Sequence, residues 1–502
     1  MSQVAGQPGT APGPGRRFPL SQPLVRLTPS DVLTLRDAFE GIHIFGGLGS
    51  GKTSGSGQTI ARSFLQAGYG GLVLTAKPDE ADTWVRYCRE TGRSASLVRF
   101  GPDHPWRFNF IDYEMRRPGR GAGITSNLVS LFEEVLEVHH PGKVLGGDPY
   151  WREARSQLLR NAVDLIKLAG QKVTMDEVAA VIRSAPLSPE EASDANWRSR
   201  SRCAELLKAA LDHPQPDPTA EGDLNHVATY FMDEFAKLDP KPRSSVVIMV
   251  GALTDTLLRG DVRELLLTET TIVPEVITQG VVMVLDMPTH EYRDAGRFVQ
   301  VLIKTIFQRM VERRDARSDT TRPVFLWADE AQLFTSGYDP TFQTTARSTK
   351  TATVYLSQNL PNYYDSFGGD SAGHARTKKL LGAFGIKVFH ANGDTETNEY
   401  AERLIGRDVQ LRRSESTSYP ADYGPHNGTP LQTTFGTSEI MESLVPARTF
   451  TELQRGGYNR NFTEAIVFRA GEPWRLSGRG FVRTKFRQSF PPRTPSSNGV
   501  HR

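Results

Sequence analysis

Apolar residues along this chain gather into short runs that stop abruptly at glycine or polar residues. Residues 42–45 form the first and halt at Gly46; 71–75, 96–100, 281–287, 323–328, 353–357 and 386–390 repeat the pattern. Such runs, rich in β-branched and aromatic residues, predict buried strands. Amphipathic patterns at 52–66, 80–91 and 295–314 predict helices between them. Strand alternating with helix is the grammar of a parallel sheet with crossover helices.

One long stretch breaks the alternation. From about residue 123 to 260 the pattern is mostly helical. Thr174-Met-Asp-Glu177 reads as a capping box, and Ser188-Pro-Glu-Glu191 repeats it with Pro189 in the first helical position. Rising polarity over 188–202 suggests surface loops. The expected fold class is therefore α/β, a mainly parallel twisted sheet with an inserted all-helical domain. The expected division is a disordered Pro/Gly-rich lead (1–30), the first part of the sheet domain (31–149), the helical insertion (150–235), the second part of the sheet domain (236–485) and a disordered tail (486–502).

Composition changes this picture little. With 502 residues, 38% apolar and 23% charged, the chain suits a soluble multi-domain protein. A net charge of +3 does not by itself announce nucleic-acid binding. Cations do concentrate at the end: eight Lys or Arg lie between Arg469 and Arg502, against the single acid Glu472. Charge runs of this kind are usually solvated. The two cysteines, Cys88 and Cys203, suit a reducing compartment and cannot build a disulfide framework. His139 and His140 are adjacent, so a helix would point them to different faces, and no metal-chelating cluster is read. No apolar stretch approaches the roughly 20 residues of a membrane span, and the first residues lack a signal-peptide core.

The chemistry begins where the first strand ends. Gly46-Gly-Leu-Gly-Ser-Gly-Lys-Thr53 matches GxxxxGK[ST], between a predicted strand and a predicted helix. Glycines there let backbone N–H groups turn toward phosphates, and the helix start adds partial positive charge. Gly46, Gly47, Gly49, Ser50, Gly51, Lys52, Thr53 and Ser54 are thus the expected ATP-binding residues. Lys52 supplies charge to the β- and γ-phosphates, and Thr53 offers its hydroxyl to Mg²⁺. The strand at 323–328 ends in Asp329 and Glu330. Asp329 is expected to hold Mg²⁺ through water, and Glu330 to act as general base. Gln358 ends the next strand, within expected reach of the γ-phosphate or the attacking water. Asp286, at another strand end, is the rival base but lacks a second acid. ADEAQ also resembles a helicase box. The 277 positions from Lys52 to Asp329 exceed what a compact helicase core places there, and a large insertion accounts for them.

Several stretches carry a wider resemblance: IFGGLGSGKTSGSGQTIARSFL, LVLTAKPDE, DPYWREARSQLLRNAVDLI, FLWADEAQLF, ARSTKTATVYLSQNLPNYYDSFG and FGIKVFHANGDTETNEYAERLIG. In this order they resemble the type IV secretion coupling proteins of the TraD/TraG type, in the HerA–FtsK branch of hexameric P-loop motors, over roughly residues 40–480. The resemblance implies a RecA-like P-loop NTPase core. It also implies a conjugative ATPase that recruits or pumps DNA as a homo-hexamer, with relaxosome or secretion-channel proteins as partners. Arg347 stands where such proteins carry an arginine finger that acts across the subunit interface; Lys350 is the alternative. Coupling proteins usually carry N-terminal transmembrane helices. Without such a segment the expected place is the cytoplasm, at the inner face of the membrane through a partner. A nucleotide-switched adaptor, or a HerA/FtsK-like ATPase outside conjugation, is the competing reading. Glu330 and Gln358 beside Asp329 favour a hydrolase. A P-loop kinase lacks an identifiable acceptor pocket.

Overall fold

The apolar runs form strands whose spatial order differs from their order along the chain. The computed structural model describes residues 16–139, 149–215, 218–418, 432–457 and 460–488. In chain order the strands are β1 (Pro23–Arg26), β2 (Val32–Thr34), β3 (Ile42–Phe45), β4 (Gly70–Leu74), β5 (Leu97–Phe100), β6 (Val282–Leu285) and β7 (Val324–Ala328). They continue with β8 (Thr351–Ser357), β9 (Ile386–His390), β10 (Arg407–Ser418), β11 (Gln432–Ser443), β12 (Phe462–Arg469) and β13 (Phe481–Arg487). Nine of them make one sheet in the order β13-β12-β9-β3-β8-β7-β4-β6-β5. From β9 to β5 all neighbours are parallel; β12 and β13 close the other edge antiparallel.

Both faces of this sheet are covered, which is why its strands read as unbroken apolar runs. On β4, Leu72 and Leu74 face one core while Val73 faces the other; on β7, Leu326 and Ala328 oppose Phe325 and Trp327. Gly70 and Gly71 are glycine because neighbours press on them. A Cβ on Gly70 would lie 1.8 Å from the Ile277 carbonyl oxygen, and one on Gly71 would enter the Phe325 ring. The face bearing Leu72 is continuous with the core of the helical region, which includes Phe132, Leu159, Val163 and Phe231.

Helices occupy the expected insertion and continue beyond it, from Thr125–His139 and Pro149–Leu168 through Pro240–Leu257 to Gly260–Leu266. Thr174 caps its helix by accepting the Glu177 N–H at 3.2 Å. The Glu177 carboxylate does not reach back but accepts from Arg202 at 2.8 Å, so the box is half made. Ser188 likewise accepts from the Glu191 N–H, while the Glu191 carboxylate takes the Leu187 N–H.

Some segments differ from expectation. Residues 16–30 pack rather than dangle: Phe18, Val25 and Leu27 are buried and β1 pairs with β2. Three spaced apolar residues anchor a stretch whose Pro and polar content suggested disorder. Residues 1–15 lie outside the described residues. At the other end, Phe486 is buried and β13 runs to Arg487; residues 489–502 are outside the description, as are the side chains of His139 and His140. The ribbon β10–β11, with twelve residues per strand, was not foreseen. Its side chains are mostly exposed on both faces, which leaves no period-2 burial signal. Cys88 and Cys203 are buried and unpaired. Among the described residues no helix is long and apolar enough to cross a membrane.

Candidate nucleotide-binding site

Strand β3 lies inside the sheet between β8 and β9, while the chain leaves it for β4, three places away. In such sheets a ligand crevice opens at the carboxyl ends of the strands around this kind of switch. The loop leaving β3 is Gly46–Thr53. Its frame is built from backbone: the Gly46 N–H donates to Ser357 O at 3.3 Å, Gly47 N–H to Ala391 O at 2.9 Å and Ser50 N–H to Gly47 O at 3.1 Å. Gly51 has φ of 87°, a left-handed turn that a side chain would strain. The next turn, Lys52–Gly57, is a wide π-turn, and the regular helix covers only Gln58–Gln66. Gly55 and Gly57 are poor helix formers, which fits the irregular opening of the expected 52–66 helix.

Three strand ends converge on this loop. The Thr53 hydroxyl donates to Asp329 Oδ2 at 2.7 Å. Glu330 follows Asp329 with φ 50° and ψ 47°, a left-handed conformation rare for a non-glycine residue. Strained residues of this kind cluster at active sites and ligand clamps. Its N–H donates to Asp329 Oδ1 at 2.9 Å. Its Oε1 accepts from Gln358 Nε2 at 3.2 Å and lies 3.9 Å from Lys52 Nζ, while Oε2 accepts from Gln332 at 3.0 Å. Lys52, Thr53, Asp329, Glu330 and Gln358 therefore meet in one place, although 276 positions separate Thr53 from Asp329.

The electrostatics favour an ionised Glu330. Burial alone would raise its carboxyl, but hydrogen bonding from Gln332, the ammonium groups of Lys52 and Lys77, and Gln358 outweigh burial and hold it below its ordinary value. Lys77 contributes a second cation, 3.4 Å from Glu330 Oε1. Burial would lower its ammonium; Asp329, Glu80 and Glu330 more than offset that and raise it. On the far side of the loop, His390 accepts from or donates to Ser56 Oγ at 2.7 Å and faces Glu464 O at 3.0 Å. Burial pushes the imidazole down to about 4, against an upward pull from the Glu464 carbonyl. At neutral pH the ring is therefore neutral: Nδ1–H donates to Glu464 O, and Nε2 accepts the Ser56 hydroxyl. Thr463 donates to Ser50 O at 2.6 Å, and Gln488 Nε2 donates to Ser54 Oγ at 2.7 Å. Strands β12 and β13 thus back the Gly46–Thr53 loop.

Two sequence candidates fall elsewhere. Asp286 follows β6, four strand positions from β3, and is held by Arg99 at 2.6 Å and His104 at 2.8 Å, so it is not a rival base. Arg347 precedes β8 while Gln358 follows it, which puts them roughly 23 Å apart across a seven-residue strand. Its side chain is 61% exposed, 4.0 Å from Glu40. Arg347 does not reach the site around Lys52 and Glu330. Lys350, the alternative, stands at the same end of β8 and donates to Ser318 O at 2.5 Å. Lys77, Gln332, His390, Thr463 and Gln488 escaped sequence reasoning. Only Lys77 carried a usable signal, a cation just past a strand end.

The residues suit Mg²⁺. The Thr53 hydroxyl and Asp329 carboxylate are hard oxygen donors already side by side, and Glu80 Oε1 nearby is a buried acceptor without a hydrogen-bond partner. Among the described residues no three His, Cys, Asp or Glu form a metal cage. Mg²⁺ does not need one, because water and substrate phosphates complete its shell.

No protein-family model matches the chain, and no curated protein matches it in sequence. Solved structures do match, and they share a RecA-like α/β fold with a helical domain. The plasmid coupling protein TrwB in complex with a non-hydrolysable ATP analogue aligns with a TM-score of 0.58 at 14% identity, over 97% of this chain and 99% of that one. TrwB in complex with ADP and Mg²⁺ gives 0.56 at 14% identity, over 97% and 98%. The unbound bacterial conjugative coupling protein TrwBdeltaN70 gives 0.54 at 13% identity, over 97% and 99%. These likenesses establish the fold as that of the expected α/β core with its helical domain.

Proposed function

We propose that this chain is an ATP-hydrolysing motor of type IV secretion or conjugation, which recruits or pumps DNA or a DNA–protein complex. The observation that carries the reading is the convergence of Thr53, Asp329, Glu330 and Gln358 on the Gly46–Thr53 loop. Its fold likeness to TrwB, solved with an ATP analogue and with ADP and Mg²⁺, supports it. Backbone N–H groups of the loop and Lys52 hold the phosphates. Thr53 and Asp329 would hold Mg²⁺, whose charge would offset that of the phosphates. Glu330 takes a proton from the attacking water, and Gln358 orients that water.

Among the described residues no arginine is paired with Glu330 or Asp329, and Arg347 lies at the other end of β8. The reading therefore includes a homo-oligomeric ring, a hexamer by resemblance, in which the partner subunit's Arg347 completes the site. The helical insertion at 150–235 would bind the cargo complex or channel proteins. The cytoplasmic face of a membrane, reached through such a partner, is the corresponding place. The test is the ATPase rate with and without single- and double-stranded DNA, alongside mass measurement with ATP. Turnover raised by DNA in a ring-sized species supports a motor. ATP binding without turnover would instead indicate a nucleotide-switched adaptor.

A further inference from the structure

The turn after β4 adds a carboxylate to the site that the phosphate-loop reading leaves without a task. Glu80 opens the helix Glu80–Glu90. It lines a small cavity together with Thr53, Asp329, Thr83, Trp84 and Trp327. Its side chain is 13% exposed. One oxygen, Oε2, accepts the Ala76 N–H at 2.7 Å, which pins the carboxylate. The other, Oε1, is shut off from solvent and has no hydrogen-bond partner. Lys77 Nζ, at 3.8 Å, is too far to supply one. A buried carboxylate oxygen without a donor is costly, and native structures rarely keep one without a purpose.

Gln58, Thr83 and Tyr87 also line the cavity, yet none of them gives Oε1 a hydrogen bond. Beside them stand the Thr53 hydroxyl and Asp329, the pair that the Proposed function assigns to Mg²⁺, and this inference rests on that reading. Mg²⁺ releases its waters reluctantly and is usually bound with several retained. Each retained water carries two protons made strongly donating by the ion. Apolar Trp84 and Trp327 on the cavity wall offer those protons nothing. We infer that Glu80 is a positioning residue of the metal site, whose free Oε1 accepts a hydrogen bond from a Mg²⁺-bound water and so fixes the hydrated ion against Thr53 and Asp329. Pinning by the Ala76 N–H would give this acceptor one orientation. Lys77, bonded to Glu330 and 3.8 Å from Glu80 Oε1, keeps a cation beside both side chains.

The test measures ADP binding by the full chain over a series of Mg²⁺ concentrations and needs no turnover. Glu80→Gln keeps an oxygen for the Ala76 N–H but puts an NH₂ donor where Oε1 stood, facing the water's protons. ADP affinity without metal should stay within about twofold of the parent. The Mg²⁺ concentration that half-saturates the gain in affinity should rise about 10- to 100-fold, the usual cost of losing an outer-sphere partner of a metal. An unchanged Mg²⁺ midpoint in a folded Glu80→Gln chain overturns the role. Equal weakening with and without metal also overturns it, because Glu80 would then act on the loop. Should Glu80→Gln fail to fold, Glu80→Asp keeps the carboxyl group but is one methylene shorter, and its midpoint must likewise rise. A parent chain that binds no ADP at any Mg²⁺ concentration refutes the nucleotide reading, and Glu80's role falls with it. A parent that binds, with variants that match it, refutes Glu80's role alone.

Discussion

Replacing Glu330 by Gln changes one atom of the side chain and separates two roles that the structure gives this carboxylate. As general base it should be worth roughly 10²- to 10⁴-fold in turnover. At 1.36 kcal/mol per factor of ten, that is about 2.7–5.4 kcal/mol of barrier. Its second role is electrostatic. The Glu330 side chain is 7% exposed and lies within 4 Å of two ammonium groups, Lys52 at 3.9 Å and Lys77 at 3.4 Å. Removing the negative charge leaves both cations underpaired in the nucleotide-free protein. Losing one charge-assisted bond of this kind costs about 1.5–3 kcal/mol. Phosphate oxygens restore that compensation for Lys52, so ATP should stabilise the variant at least as much as the parent. The expected outcome is a variant that melts lower without ligand, gains at least as much from ATP, and hydrolyses at least a hundredfold more slowly in single turnover. Thermal melting with and without Mg·ATP, paired with phosphate release, reads both. Normal hydrolysis would refute the assignment of the base. An unchanged melting temperature without ligand would refute the charge balance. Because Asp286 is engaged by Arg99 and His104, it is not a substitute base if hydrolysis persists.

Other outcomes follow from the same geometry. Lys52→Ala should abolish the rise in melting temperature that ATP gives, since only a ligand that binds the native state shifts it; stabilisation equal to the parent's would contradict the phosphate assignment. Arg347→Ala should bind ATP yet lose turnover by up to roughly 10³- to 10⁵-fold. Mixed with Lys52→Ala, in rings whose mixing is confirmed by mass, it should regain part of that activity; normal turnover by Arg347→Ala alone would end the arginine-finger role. His390 gives a pH signature. Its imidazole sits at about 4 against an ordinary 6.5, so between these values the unfolded chain binds more protons than the folded one. Its contribution to stability is therefore complete above about pH 6.5 and is lost as pH falls toward 4. His390→Gln should flatten that part of the melting-temperature profile, and an unaltered slope would mean the ring is not held neutral.

The Gly46–Thr53 loop was legible because it is local: its glycines, Lys52 and Thr53 are consecutive, and backbone turning alone sets its shape. The apolar strand runs were legible for a similar reason, since a strand covered on both faces is apolar at every position. Asp329, Glu330 and Gln358 could be nominated because parallel strands deliver their carboxyl ends to one edge. The sequence also held the composition of the lead, but burial of Phe18, Val25 and Leu27 overrode its disordered look. Strand order came only from the tertiary structure, because pairing between distant segments depends on how whole faces pack. That order set Asp286 aside, brought Lys77 and Glu80 to the side of Thr53, Asp329 and Glu330, and placed Arg347 at the opposite end of β8. It also set Thr463 and Gln488 behind the Gly46–Thr53 loop, more than 400 positions along the chain. No local pattern marks such residues, because their roles are made by a neighbour's position in space and not by their neighbours in sequence.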